Sequence, residues 1–188
     1  SELLNAVKDA IHAGGKILVP VGALGNAPEI IAVLSALWRR ETLLHMPVYV
    51  TAGLLMRASS SYEEYARDWC SPGADQFLNN TKKDVPTLVG SLVRTDVMTE
   101  DSPAVLEFNR ARDWHLVTSE GPMVLFATPG SMSTGVSFDV FREWCHDARN
   151  VVVVPGFCFA NTLAARLLTK AEGSTADVDR NIRCKLIN

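Results

Sequence analysis

The residues best suited to chemistry in this sequence lie in the segment Gly121–Cys145, and within it in the turn Thr128-Pro-Gly-Ser-Met-Ser-Thr-Gly135. That turn offers backbone amides, four small hydroxyl side chains and almost no bulk, the composition of a loop that faces phosphate. Gly130 and Gly135 have the spacing of the glycines in a P-loop. Val136, however, stands where the phosphate-binding lysine must be, so an ATPase loop is not supported. No serine sits in a GxSxG turn, and no His/Asp pair can be placed beside Ser131 or Ser133, so neither is a hydrolase triad. The turn at Gly22–Gly25 is not a GxGxxG dinucleotide fingerprint. From these residues alone a tight turn without a ligand stays open for Gly130 and Gly135. Glu29 reads equally as a helix-dipole partner. The four cysteines (Cys70, Cys145, Cys158, Cys184) form no CxxC pair, and Cys145 and Cys158 stand in apolar company. Buried free thiols in a reducing compartment are the expectation. The four histidines (His12, His45, His115, His146) are scattered and form no HxH or HExxH pattern, so no metal site is expected that this chain could complete alone.

Around that turn the pattern is strand, turn, helix. Met123–Ala127 is an apolar run of strand length, stopped by Thr128-Pro129-Gly130. Ser137 is the expected N-cap, with Asp139 in the first turn against the helix dipole. Val140, Phe141, Trp144 and Cys145 recur at helical spacing, and His146 lies near the helix end. Elsewhere the chain reads as a helix over 1–13 closed by Gly14-Gly15, a strand Lys16–Val21, and a helix opened by Pro28 and Glu29. A strand Val48–Thr51 and a long helix through Leu55–Trp69 follow. Residues 71–104 are broken by prolines and polar runs and read as a surface insertion with short helices near Ala74–Leu78 and Thr87–Val93. Then come a short strand Ala104–Phe108, a strand Val151–Pro155, a helix capped by Asn161 or Thr162, a polar stretch Glu172–Asp179 and a final strand in Ile182–Ile187. Alternation of strand and helix predicts an α/β fold with a mostly parallel sheet flanked by helices, in one domain over 1–188.

In such a sheet the turns Gly22–Asn26, Ala52–Leu54, Thr128–Gly135 and Gly156–Thr162 all follow strand carboxyl ends and share one edge. Ligands of open α/β sheets bind in that crevice, and helix N-termini converging there favour an anion. Net charge is −3, so no global basic field exists for nucleic acid. No apolar run reaches membrane-spanning length, and the N-terminal segment is amphipathic rather than a signal peptide.

Three blocks carry a family resemblance. GGKILVPVGALGNAPEI (14–30) resembles the stretch GG(K/R)VLIPVFALGRAQEL. PMVLFATPGSMSTGVSFDVFREWC (122–145) resembles a strand, (S/T)PGM loop and helix ending in FxxW. NVVVVPGFCFANTLAARLL (150–168) resembles N-x-VI(I/M)-x-GYC-x-x-GT-(L/V). The blocks come in order and span most of the chain, apart from about Cys70 to Leu116. Together they resemble the Rossmann-like β-CASP domain of metallo-β-lactamase RNA-processing nucleases, most closely the group acting in the cleavage and polyadenylation and Integrator complexes.

The resemblance implies a parent endoribonuclease for RNA 3′-end processing in the nucleus, in which zinc activates the attacking water. The zinc ligands belong to the parent's metallo-β-lactamase fold, so this segment is expected to bind no metal and to hold no catalytic residue. Its expected role is one wall of the RNA cleft. The residues that line it would be Asn26, Glu29, Thr128, Pro129, Gly130, Ser131, Met132, Gly135, Gly156, Phe157, Cys158 and Asn161. Expected partners are RNA, the parent's own metallo-β-lactamase domain, an inactive paralogue and other subunits of the complex; no membrane is expected. The chain departs from the family pattern at Asn26 (arginine), Pro28 (glutamine), Ser131 (methionine) and Asn161 (glycine). Losing the arginine removes a cation from the cleft wall. The departures leave room for a scaffold domain of an inactive paralogue. The residues alone also allow a free-standing phosphate- or nucleotide-binding domain.

Overall fold

The computed structural model describes residues 2–22, 27, 30, 46–51, 53, 105–155, 158–171 and 182–187. Of the expected helix opened by Pro28 and Glu29 only Ile30 is described, and it is helical; the expected helices at Leu55–Trp69, Ala74–Leu78 and Thr87–Val93 lie outside those residues, as does the insertion over 71–104. In chain order the described elements are α1 (Glu2–His12), β1 (Lys16–Pro20), β2 (Val48–Thr51), β3 (Val105–Phe108), α2 (Arg110–Thr118), β4 (Met123–Ala127), α3 (Gly135–Trp144), β5 (Val151–Val153), α4 (Leu163–Ala171) and β6 (Lys185–Ile187). The strands form one sheet in the order β3-β2-β4-β1-β5-β6. Every pairing is parallel, with Leu18 opposite Leu125 and Val152 at the centre. The fold is α/β, as the alternating pattern predicts.

Successive side chains of a strand point to opposite faces, so runs that are apolar throughout must be covered on both sides. β1 and β4 are buried along their whole length. Ile17, Val19, Val124, Phe126, Val151 and Val153 fill one face together with Ala6, Val7 and Ala10 of α1. Leu18, Leu125 and Val152 fill the other, against Val140, Phe141 and Trp144 of α3 and Ala164 and Leu167 of α4. Cys145 and Cys184 lie buried in this second core as reduced cysteines.

Two local expectations are corrected. The N-cap of α3 is Thr134, not Ser137, which lies inside the helix and is fully buried. Its hydroxyl donates to Pro129 O at 2.7 Å, so it serves the preceding loop. Asp139 therefore sits beyond the first turn and pairs with Arg110 of α2 at 2.8 Å. The basic residue in the last turn of α3 is Arg142, and His146 falls outside the helix. The second correction is α2 itself, which the sequence reading leaves unassigned. Its mean polarity is high and only Asp113 and Val117 are buried, so no apolar stripe announces it. It forms because Asn109 caps it: Asn109 Oδ1 accepts from Ala111 N at 3.0 Å. Asp113 reaches back to Asn109 N at 2.8 Å.

Candidate functional site

Connections from neighbouring strands leave the sheet in opposite directions between β1 and β4. After β1 the chain turns to the α1 face, where Ala27 is fully buried and Ile30 packs. After β4 it turns to the other face, where α3 packs. This is a topological switch point, the place where open parallel sheets form a crevice beyond the strand carboxyl ends.

The Thr128–Gly135 loop sits in that crevice and is braced on three sides. A Cβ on Gly130 would come within 3.2 Å of Val21 C and Gly22 N at the end of β1, so glycine lets the two backbones approach. Thr128 Oγ1 lies 3.4 Å from Thr51 Oγ1 at the end of β2. Ser131 O accepts from Ala164 N in the first turn of α4 at 3.3 Å. Within the loop, Met132 N donates to Pro129 O and Ser137 N donates to Thr128 O. Gly135 has φ 77° and packs on Pro129, and the Thr128–Pro129 peptide is cis.

This wiring changes what the loop can do. The amide of Ser137, which would face an anion at the start of α3, is already taken by Thr128 O. At α4, the amide of Ala164 is taken by Ser131 O and that of Ala165 by Thr162 Oγ1 at 3.3 Å. Thr162 is thus the residue that caps α4, and Asn161 is not. Neither 128–135 nor 158–162 contains a lysine or arginine. These two loops make a pre-shaped, uncharged stretch of the edge rather than a phosphate cradle.

The expected site residues separate accordingly. Thr128, Pro129, Gly130, Ser131 and Gly135 come together in the crevice loop. Cys158 and Asn161 lie on the neighbouring β5–α4 connection, bridged to it through Ser131 and Ala164. Met132 is fully buried in the α3/α4 core, so its side chain packs beneath the rim instead of lining it. Cys158 is half-buried against the same core, and burial pushes its thiol above the ordinary 9.0. It is a packing thiol and not a thiolate nucleophile. Asn161 has φ 65°, a left-handed backbone that glycine adopts freely and asparagine tolerates better than other residues. Asparagine in place of the family glycine therefore keeps the turn. Asn26, Glu29, Gly156 and Phe157 lie outside the described residues. A residue that sequence reasoning missed is Phe159, the one large apolar side chain left exposed among the described residues, at 71%.

Among the described residues no group of three or more His, Cys, Asp or Glu could hold a metal ion. These residues do not fit a zinc centre. A cleft of about 620 Å³ opens at the opposite, amino-terminal edge of the sheet, where Lys16, Glu143, Asp147 and Arg149 meet. Its cations are already engaged: Lys16 by backbone carbonyls, Arg149 by Asp147 at 2.7 Å. That leaves the carboxyl-end rim as the candidate interface.

A family model described as the Beta-Casp domain matches residues 27–167. The chain belongs to the Beta-Casp domain family. The match runs from the connection after β1 into α4 and contains the Thr128–Gly135 loop and the β5–α4 connection. Among curated proteins, the chain is 28% identical to the Integrator complex subunit 11 homolog of Dictyostelium discoideum over all of its length, covering 24% of that protein. It is 30% identical to Integrator complex subunit 11 of Gallus gallus, over 89% of the chain and 24% of the relative. It is 31% identical to cleavage and polyadenylation specificity factor subunit 3-II of Arabidopsis thaliana, over 98% of the chain and 27% of the relative. The chain thus spans about a quarter of the length of the curated relatives it matches. No helix among the described residues is long and apolar enough to cross a membrane.

Proposed function

We propose that this Beta-Casp domain is the cap of a zinc-dependent endoribonuclease that processes RNA 3′ ends in the nucleus, and that its strand-carboxyl rim forms one wall of the RNA cleft. The observation that carries the reading is the switch-point crevice, braced by Gly130, Thr51 and Ala164 and matched by family and by RNA-processing relatives. A metal-bearing domain of the intact protein would face the crevice. Zinc would be held by that domain and would supply the activated water. This chain would shape and position the RNA and contribute no reacting group. Its partners would be RNA, the metallo-β-lactamase domain of the same protein, an inactive paralogue and further subunits of the complex.

A second reading is a scaffold domain in an inactive paralogue. Asn26, where the family carries arginine, favours it; Asn161 does not, because its backbone preserves the glycine conformation. One assay separates the two. The intact protein and residues 1–188 alone are incubated with labelled single-stranded RNA, with and without a zinc chelator. Chelator-sensitive cleavage by the intact protein and none by the segment is the expected result. RNA that stays intact with the full protein supports the scaffold. Metal-dependent cleavage by residues 1–188 contradicts both readings.

A further inference from the structure

A single apolar side chain at a protein surface is ordinary. Phe159 differs in how it is held and in what surrounds it. Its carbonyl accepts from Thr162 Oγ1 at 2.7 Å and from Thr162 N at 3.3 Å. Thr162 is fixed in turn as the cap of α4, through Ala165 N. Between them Asn161 turns the chain through a left-handed conformation. The backbone from Phe159 to Thr162 is therefore hydrogen-bonded across a short turn, while Phe159 is 71% exposed. Ala164, in the first turn of α4, is tied to Ser131 of the crevice loop, so this turn and the switch-point loop are joined.

The chemistry of that surface is narrow. Neither loop carries a cation, and three helix-start amides are already taken by the protein's own oxygens. Recognition of a single strand at these two loops does not rest on phosphate neutralisation by their own side chains. What the two loops offer is hydroxyl groups and one exposed aromatic side chain on a hydrogen-bonded turn. Unpaired bases of RNA are commonly gripped by such faces, because every base has a π-surface to stack.

We propose that Phe159 is an RNA-contacting residue whose ring stacks on one unpaired base of the strand in the cleft; this rests on the RNA-cleft reading above. The contact is independent of charge, so its contribution is insensitive to salt, unlike any phosphate contact made elsewhere in the intact protein. It favours purines over pyrimidines through stacking strength.

The test measures binding of the intact protein to short fluorescent oligoadenylate and oligouridylate by anisotropy, at about 50 and about 200 mM salt. Phe159→Ala is expected to weaken oligoadenylate binding by about 5- to 100-fold, by the same factor at both salt concentrations. It should also reduce the preference for adenylate. Phe159→Trp should stay within about threefold of the wild type. Because the ring is exposed, both variants should melt as the wild type does. If the wild type binds RNA and Phe159→Ala binds equally well, stacking is overturned and the cleft reading stands. The same holds if Phe159→Ala instead loses association with a protein partner, or if its loss of RNA binding disappears at the higher salt. Absence of RNA binding by the wild type overturns both.

Discussion

At the amino ends of the strands, Lys16, Trp144 and Asn150 are buried and hydrogen-bonded into the fold. Lys16 Nζ donates to the carbonyls of Leu116, Val117 and Ser119 at 3.0, 2.6 and 2.6 Å, and lies 5.3 Å from the centre of the Trp144 ring. Burial pushes Lys16 below its ordinary value, but three acceptors require three protons, so the side chain is the ammonium. Trp144 Nε1 donates to Val117 O, and Asn150 joins Lys16 N to Trp144 O. At the carboxyl ends, the loops 128–135 and 158–162 are short and uncharged, the first is rich in hydroxyls, and Phe159 of the second is exposed. One edge spends its polar chemistry on holding helices to the sheet; the other keeps a shaped surface that interacts outward. A charged residue inside a fold is thus a poor guide to where function lies, and the uncharged loop is the better one.

Substitutions at the two edges should separate stability from RNA contact. The largest effect is expected for Gly15→Ala, since a Cβ there would overlap the Arg149 carbonyl. A cost of about 3 kcal/mol or more is expected from the backbone shift, read as a lowered denaturation midpoint. Lys16→Met should cost about 2–4 kcal/mol, by orphaning three buried or half-buried carbonyls, with RNA affinity of the folded fraction unchanged. At the rim, Gly130→Ala should cost only about 1–2 kcal/mol, because the 3.2 Å approach can relax by a small loop shift. That shift should weaken RNA binding more than stability suggests. A rim variant that unfolds the protein, or a Lys16 variant that abolishes RNA binding while folded, breaks the contrast.

A smaller effect concerns α2. Hydrogen bonds from Arg112 and from the Asn109 amide hold Asp113 below the ordinary carboxylate value of 3.8. A depressed folded value contributes stability that is fully present above the unfolded value and is lost as pH falls through the folded one. Stability should therefore decline in acid below about pH 4, and Asp113→Asn should flatten that limb of a pH–denaturation curve. The smallest effect is expected at Asn161. Asn161→Gly should change stability by only a few tenths of a kcal/mol, whereas Asn161→Ala should cost about 1 kcal/mol. Thermal melts of the two variants compare them directly.

The sheet was legible because its strands are apolar in unbroken runs, and Met123–Ala127 or Val151–Val153 can be read no other way at that length. The stripe Val140, Phe141, Trp144, Cys145 revealed α3 for the same reason. The start of that helix was not legible, since Ser137 is a good cap by type and only the loop shows that its hydroxyl belongs to Pro129. α2 was hidden because its order comes from Asn109, Asp113 and the Lys16 ammonium at its end rather than from periodicity. The crevice followed from the alternation of strand and helix, but its wiring did not. Which amides the loop consumes depends on a fold-back between Thr128 and Ser137 that no local pattern encodes. Phe159 was passed over because one phenylalanine in an apolar stretch looks like core until its exposure is measured.

The central claim is that the carboxyl-end rim faces RNA and the amino-end edge does not. Ultraviolet crosslinking of the intact protein to single-stranded RNA, with the crosslinked peptides identified by mass spectrometry, tests it most directly. Adducts within 128–135 and 158–162, and none around Lys16, Glu143 or Arg149, are the predicted result. Adducts concentrated at the amino-end cleft, with the rim unmodified, would contradict it.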